Sequence, residues 1–308
     1  MTRSLRPLFA ALLASLAICL VPSAASADLL GTGITNPVTD WATLLPGLTP
    51  GYVPNDPNIC KSGKESCQAS LYREMDKRFQ PLADSCSHNA MFALLYLRVT
   101  KHVWDAIWHQ DYFSDRGFMT HYGAVFGNWY FNGYDAWKSG SVNTPTAWKI
   151  ALDAAKNREV TGLGNLLLGM NAHINRDLPF VLYRIGLVAP DGTSRKDDHD
   201  LINNVLYAAY GEAITEAGRR FDSSLQSSSG TGSAESGIQS VIAWREEAWR
   251  NAERLATASS DAERAAISQQ IEQAANLEAA AIKATNSYGA TQSSASRDAF
   301  CAAHHNDA

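Results

Sequence analysis

Residues 163–185 read LGNLLLGMNAHINRDLPFVLYRI, and the fold turns on this stretch. Leu163, Leu167, Met170, Ile174, Leu178, Val181 and Ile185 recur at steps of three and four, the spacing of one face of an α-helix. Leu166, Leu168 and Leu182 carry the apolar surface round much of the circumference, as in a helix at the centre of a bundle. Pro179 has no amide hydrogen and is predicted to kink or divide this helix. Asn171, His173, Asn175 and Asp177 sit on the same helix, and polar groups are costly to bury unless each is paired.

Outward from this helix, apolar residues keep helical spacing over 69–80, 88–109, 117–138, 145–157, 159–186 and 198–221, while strand-like alternation is scarce. The expectation is an all-α fold: a multi-helix bundle with a kinked central helix, an irregular N-terminal arm and a C-terminal helical hairpin. Residues 69–221 form the helical core in this reading. Residues 28–68, with Pro37, Pro46, Pro50, Pro54 and Pro57 among several glycines, form the arm. Residues 222–238, rich in Ser and Gly, read as a linker, 239–286 as the hairpin and 287–308 as a tail. Ser260 and Glu263 make a capping box that opens the hairpin's second helix.

Arg3 and Arg6, an apolar run from Leu8 to Val21 and Ala25-Ser26-Ala27 have the order of a secretory signal, residues 1–27, cut before Asp28. The run is too short to span a bilayer comfortably, so a secreted protein without a membrane span is expected. Its loss leaves 24 Lys and Arg against 31 Asp and Glu, an acidic balance that lacks the footprint of nucleic-acid binding. Cys60, Cys67, Cys86 and Cys301 then remain, and four cysteines in an exported chain suggest two disulfides. Cys60 with Cys67 across a short loop is the favoured pair, which leaves Cys86 for Cys301.

Three groups of residues are candidates for chemistry. His173 and Asp177, four apart on one helix face, can hold one divalent cation, zinc by preference, or hold each other, the carboxylate fixing the tautomer of the ring. Asn171 and Asn175 form a neighbouring polar pair, and the plain reading of all four is a hydrogen-bonded layer that registers helices. Asp197-Asp198-His199-Asp200 opens the next helix, where acids are favoured by the helix dipole. His199 and Asp200 are further candidate metal ligands, Asn203 a further polar site residue, and Asp198 a candidate catalytic base. The aromatic residues between Trp104 and Trp137 read mainly as core, with Trp108, Trp129 and Tyr130 as candidates to line a ligand pocket. Nucleophile-elbow, phosphate-loop and His-Glu-x-x-His patterns are absent.

Asn171 to Leu178, followed by Asp200-Leu201-Ile202-Asn203, resembles an uncharacterised helical family common in actinobacteria, a domain of unknown function. The resemblance covers roughly residues 69–221, leaves the hairpin outside, and implies a helical fold that singles out the same polar residues. A fainter similarity is to zinc-dependent phospholipase C and the related single-strand nucleases, secreted all-helical enzymes whose His-x-x-x-Asp helix His173 and Asp177 match. That family has a further histidine soon after the Asp, where Tyr183 is nearest here, and a later His-x-x-x-Glu that this sequence lacks. The resemblance therefore implies a single-metal site. Two functions stay in view: a protein that binds a small-molecule or envelope ligand, with a buried His/Asp/Asn network, and a metal-assisted extracellular hydrolase of phosphodiesters or other esters.

Overall fold

Apolar residues that recur every three or four positions are buried by packing helices against one another. The computed structural model describes residues 51–226, 231–289 and 293–307. The expected signal peptide and residues 28–50 of the arm lie outside the described residues. The chain forms α1 (Glu65–Asp84), α2 (Ala90–Trp108), α3 (Arg116–Lys138), α4 (Thr146–Lys156), α5 (Gly162–Asn171), α6 (Leu178–Ile185), α7 (Lys196–Arg220), α8 (Thr231–Thr257), α9 (Asp261–Thr285) and α10 (Ser294–His304). Among the described residues no strand forms, only the isolated bridges Val160–Ser287 and Val188–Ser194. The expected all-α class is the observed one. No described helix is long and apolar enough to cross a membrane.

The central stretch departs from a single kinked helix. α5 ends at Asn171, a π-helical turn runs Ala172–Asp177, and α6 starts at Leu178 with Pro179 in its first turn. Pro179 has no N–H to give to a carbonyl one turn back, and the wider turn before it takes up the mismatch: the amide of Leu178 donates to His173, five residues earlier. Proline in a first helical turn leaves no bond broken.

Other boundaries shift in the same way. α1 starts four residues earlier than expected and runs past Pro81. The expected linker contains a 3₁₀ turn at Ser223–Leu225, and α8 begins at Thr231. Gly237 lets α8 approach α7, since a Cβ there would lie 2.8 Å from the Tyr210 hydroxyl oxygen. The hairpin α8–α9 packs as a further layer on the bundle: Ile238, Val241, Ala248, Trp249 and Ile271 belong to the main core. The expected tail holds α10, pinned by Cys301 to Cys86 across 215 residues, while Cys60 pairs with Cys67 ahead of α1.

Candidate functional site

α2 presents Phe92 and Tyr96 one turn apart, and α3 presents Tyr122 and Phe126 in the same way. The His173 ring, from the π turn, enters between them. It lies parallel to Phe126 with centroids 3.6 Å apart and meets the Tyr96 ring edge-on at 4.6 Å. Trp148 of α4 stands 5.9 Å away.

Asp177 fixes this ring. Its Oδ2 accepts from His173 Nδ1 at 3.2 Å and from Trp148 Nε1 at 2.8 Å, and its Oδ1 accepts from Arg176 Nη1 at 2.9 Å. Arg176 is held in turn by Glu272 of α9, Nε to Oε1 2.7 Å. With the hydrogen on Nδ1 turned to Asp177, His173 carries a lone pair on Nε2. That atom is buried and has no protein partner. Burial pushes the His173 pKa below its ordinary value, against the pull of Asp177, and keeps the ring neutral.

His173 lines a cavity of about 100 Å³ bounded by α1, α2, α3, α5, the π turn, α7 and α8. Leu71, Val103, Met119, Met170, Ile202 and Val241 give it a largely apolar wall. Val99, Phe126 and Leu206 in that wall are partly exposed, so the cavity is not sealed. Its polar members are few: Gln68, Thr100, three tyrosines, His173 and Arg245.

Arg245 of α8 is only 4 % exposed. Its Nε donates to Asn203 Oδ1 at 2.8 Å, its Nη2 donates to the carbonyl of His199 at 2.5 Å, and it also bonds the Tyr122 hydroxyl. Burial lowers its pKa, yet a guanidinium remains charged at any physiological pH. The Tyr122 oxygen accepts from Arg245, so its O–H donates to His199 Nδ1, 3.1 Å away. Burial, then the charges of Arg245 and Lys196, push the His199 pKa well down. His199 Nε2 is a second buried ring nitrogen without a partner, beside Trp249 at 5.1 Å between centroids.

Of the residues expected to form one metal site, His173 and Asp177 meet, while His199 and Asp200 have other partners. Both oxygens of Asp177 are committed to protein donors, Asp200 pairs with Lys196 at the start of α7, and His199 faces Tyr122 and Trp249. Among the described residues no three His, Cys, Asp or Glu side chains gather as metal ligands. Asp198, the expected base, accepts from the amides of Ser114 and Asp115 and holds the segment that leads into α3. Asn171 spans Ala275 of α9 and Asn175, as in the expected polar layer, and Asn203 holds Arg245.

Trp108, Trp129 and Tyr130 do not line the cavity. Trp108 bonds Thr120, Trp129 stacks on Phe180, and Tyr130 packs against Phe92 and Trp148. Tyr96, Tyr122 and Phe126 take their place. The sequence reading missed Gln68 and Arg245. A signal for Arg245 was present: on α8 the apolar stripe Ile238, Val241, Ala248, Trp249, Ala252 has a charged residue at the step where a core residue is due. Gln68 offers no comparable signal, because it opens an ordinary amphipathic helix.

Comparison with curated proteins and with solved structures gave no match. A family model does match, over residues 69–285, which takes in the hairpin that the resemblance read from the sequence had left outside. That stretch is most of the chain, from the second turn of α1 to the end of α9, and the protein belongs to the family of unknown function DUF5995.

Proposed function

We propose that this protein is an exported binding protein for a small, mostly apolar molecule that donates one hydrogen bond to His173. The observation that carries this reading is His173 Nε2: a buried lone pair held in a fixed direction by Asp177, with no partner in the protein, on a ring that lines an apolar cavity. A buried acceptor left without a donor costs about 1–3 kcal/mol, and a ligand hydroxyl or N–H recovers that cost. An apolar cavity of ~150 Å³ takes up a benzene ring, and this smaller one, unsealed at Val99, Phe126 and Leu206, suits a slender chain that extends toward its opening. The two disulfides support the exported part of the reading, since such bonds persist in oxidising compartments.

The test is calorimetric titration with 1-hexanol and n-hexane, on the parent and on His173→Phe. The variant keeps a ring against Phe126 and removes Nε2. The loss of one hydrogen bond, about 1–1.5 kcal/mol, weakens 1-hexanol roughly tenfold and leaves n-hexane unchanged. Equal weakening of both ligands, or no uptake of either by the parent, refutes the proposal.

A further inference from the structure

We propose that Arg245 is a receptor for a carboxylate, so that the cavity's ligand is a short aliphatic acid bound as its anion. This rests on the reading that the cavity takes up an apolar ligand, and it adds the charge and position of the ligand's head.

Three arginines among the described residues are buried: Arg176, Arg245 and Arg297. Arg176 has Asp177 and Glu272, and Arg297 has Asp298. Arg245 differs. Its partners are an amide oxygen, a backbone carbonyl and a tyrosine hydroxyl, all neutral, and among the described residues no carboxylate lies within ion-pairing distance. Asp200, whose charge reaches Arg245, makes its ion pair with Lys196, which also pairs with Glu246. A buried charge with no directly paired counter-charge is costly to keep. Here the charge lines the cavity, whose wall is otherwise mostly apolar.

The surroundings suit an anion. The O–H of Tyr122 is spent on His199, so Arg245 is the group that would meet an anionic head. Asn203 and the His199 carbonyl take Nε and one Nη2 hydrogen, so a carboxylate would approach the other, Nη1–Nη2 edge of the planar guanidinium fork. Tyr122 and Phe126 are one turn apart on α3, and Phe126 is the ring on which His173 lies. The guanidinium and the imidazole ring are therefore at levels about 6 Å apart along that helix. The anionic head rests at the Arg245 level, the chain follows the apolar wall, and a hydroxyl along the chain reaches His173.

The experiment titrates hexanoate, 1-hexanol and hexylammonium into the full chain, then hexanoate and 1-hexanol into Arg245→Met and Arg245→Lys. The parent takes up hexanoate and rejects hexylammonium. Arg245→Met weakens hexanoate about 10- to 100-fold, the worth of a hydrogen bond to a charged group, and leaves 1-hexanol within a factor of about two. Arg245→Lys, a point charge without the fork, falls between them. If Arg245→Met does not fold, the comparison of hexanoate with hexylammonium on the parent decides alone. Equal affinity for the two ions, or hexanoate unaffected by Arg245→Met, overturns the inference while 1-hexanol uptake upholds the cavity reading. Failure of the parent to bind either 1-hexanol or hexanoate overturns both.

Discussion

Asp177 is the residue on which the site depends. It is fully buried and satisfies an imidazole, an indole and a guanidinium at once. Asp177→Asn keeps the shape but exchanges one acceptor oxygen for a donor NH₂, which must then face a donor, and leaves Arg176 with Glu272 as its carboxylate partner. Breaking a buried charge pair in this way is expected to cost about 3 kcal/mol in urea unfolding. Trp148→Phe, which removes one neutral donor, is expected to cost about 1 kcal/mol. If the two variants lose equally little, the carboxylate's charge is not what holds this network. The His173–Asp177 pairing was legible in the sequence, because a spacing of four sets two side chains on one face whatever surrounds them. Trp148, 29 residues away, was not, because nothing local ties an indole on one helix to a carboxylate on another.

Helix content followed from periodicity, and so did the interruption near Pro179. Its form did not: Leu178 sits at a helical step from Ile174, so the pattern looks continuous across the residues that form the π turn. The pattern also cannot show which glycines in helices are needed for close approach. Gly169 in α5 faces α2, where an added Cβ would lie 2.4 Å from Phe92 Cγ. Gly211 in α7 has nothing within 4 Å of that position. Alanine gains about 1 kcal/mol over glycine in a helix interior at either site. At Gly211 that gain stands alone, and Gly211→Ala is expected to raise Tm. At Gly169 the clash with a buried ring costs about 1–3 kcal/mol, and Gly169→Ala is expected to lower Tm. Since Phe92 also lines the cavity, that variant should weaken 1-hexanol uptake as well. A rise in Tm for both variants would mean that α2 and α5 can move apart freely.

The cavity arises from helices far apart in sequence, and this is why its lining was hard to read in advance: α8 supplies Arg245 and Val241 to a site whose histidine lies some seventy residues earlier. The sequence pattern marked the core domain and the hairpin as helical but could not show how closely they pack, and their buried residues share one core. A property of that body follows from its histidines. His88, His121, His173 and His199 are all buried, and burial is the main cause that lowers each pKa, in His121 to about 4. In the unfolded chain these rings take up protons as pH falls through about 6.5, while in the folded protein they resist. The unfolded state then binds more protons, so stability is full above about pH 6.5 and falls as pH drops toward the folded pKa values. Carboxylates with lowered pKa values, such as Glu216 and Asp298, pull the same way only at lower pH. Between pH 6 and 5 the histidines therefore dominate. One proton gives about 1.4 kcal/mol per pH unit, and more than one histidine makes the slope of unfolding free energy steeper than that. His121→Gln should reduce the slope by up to one proton and leave the remainder. Urea unfolding at pH 7, 6 and 5 measures it, and a flat profile would show that the rings take up protons without loss of the fold.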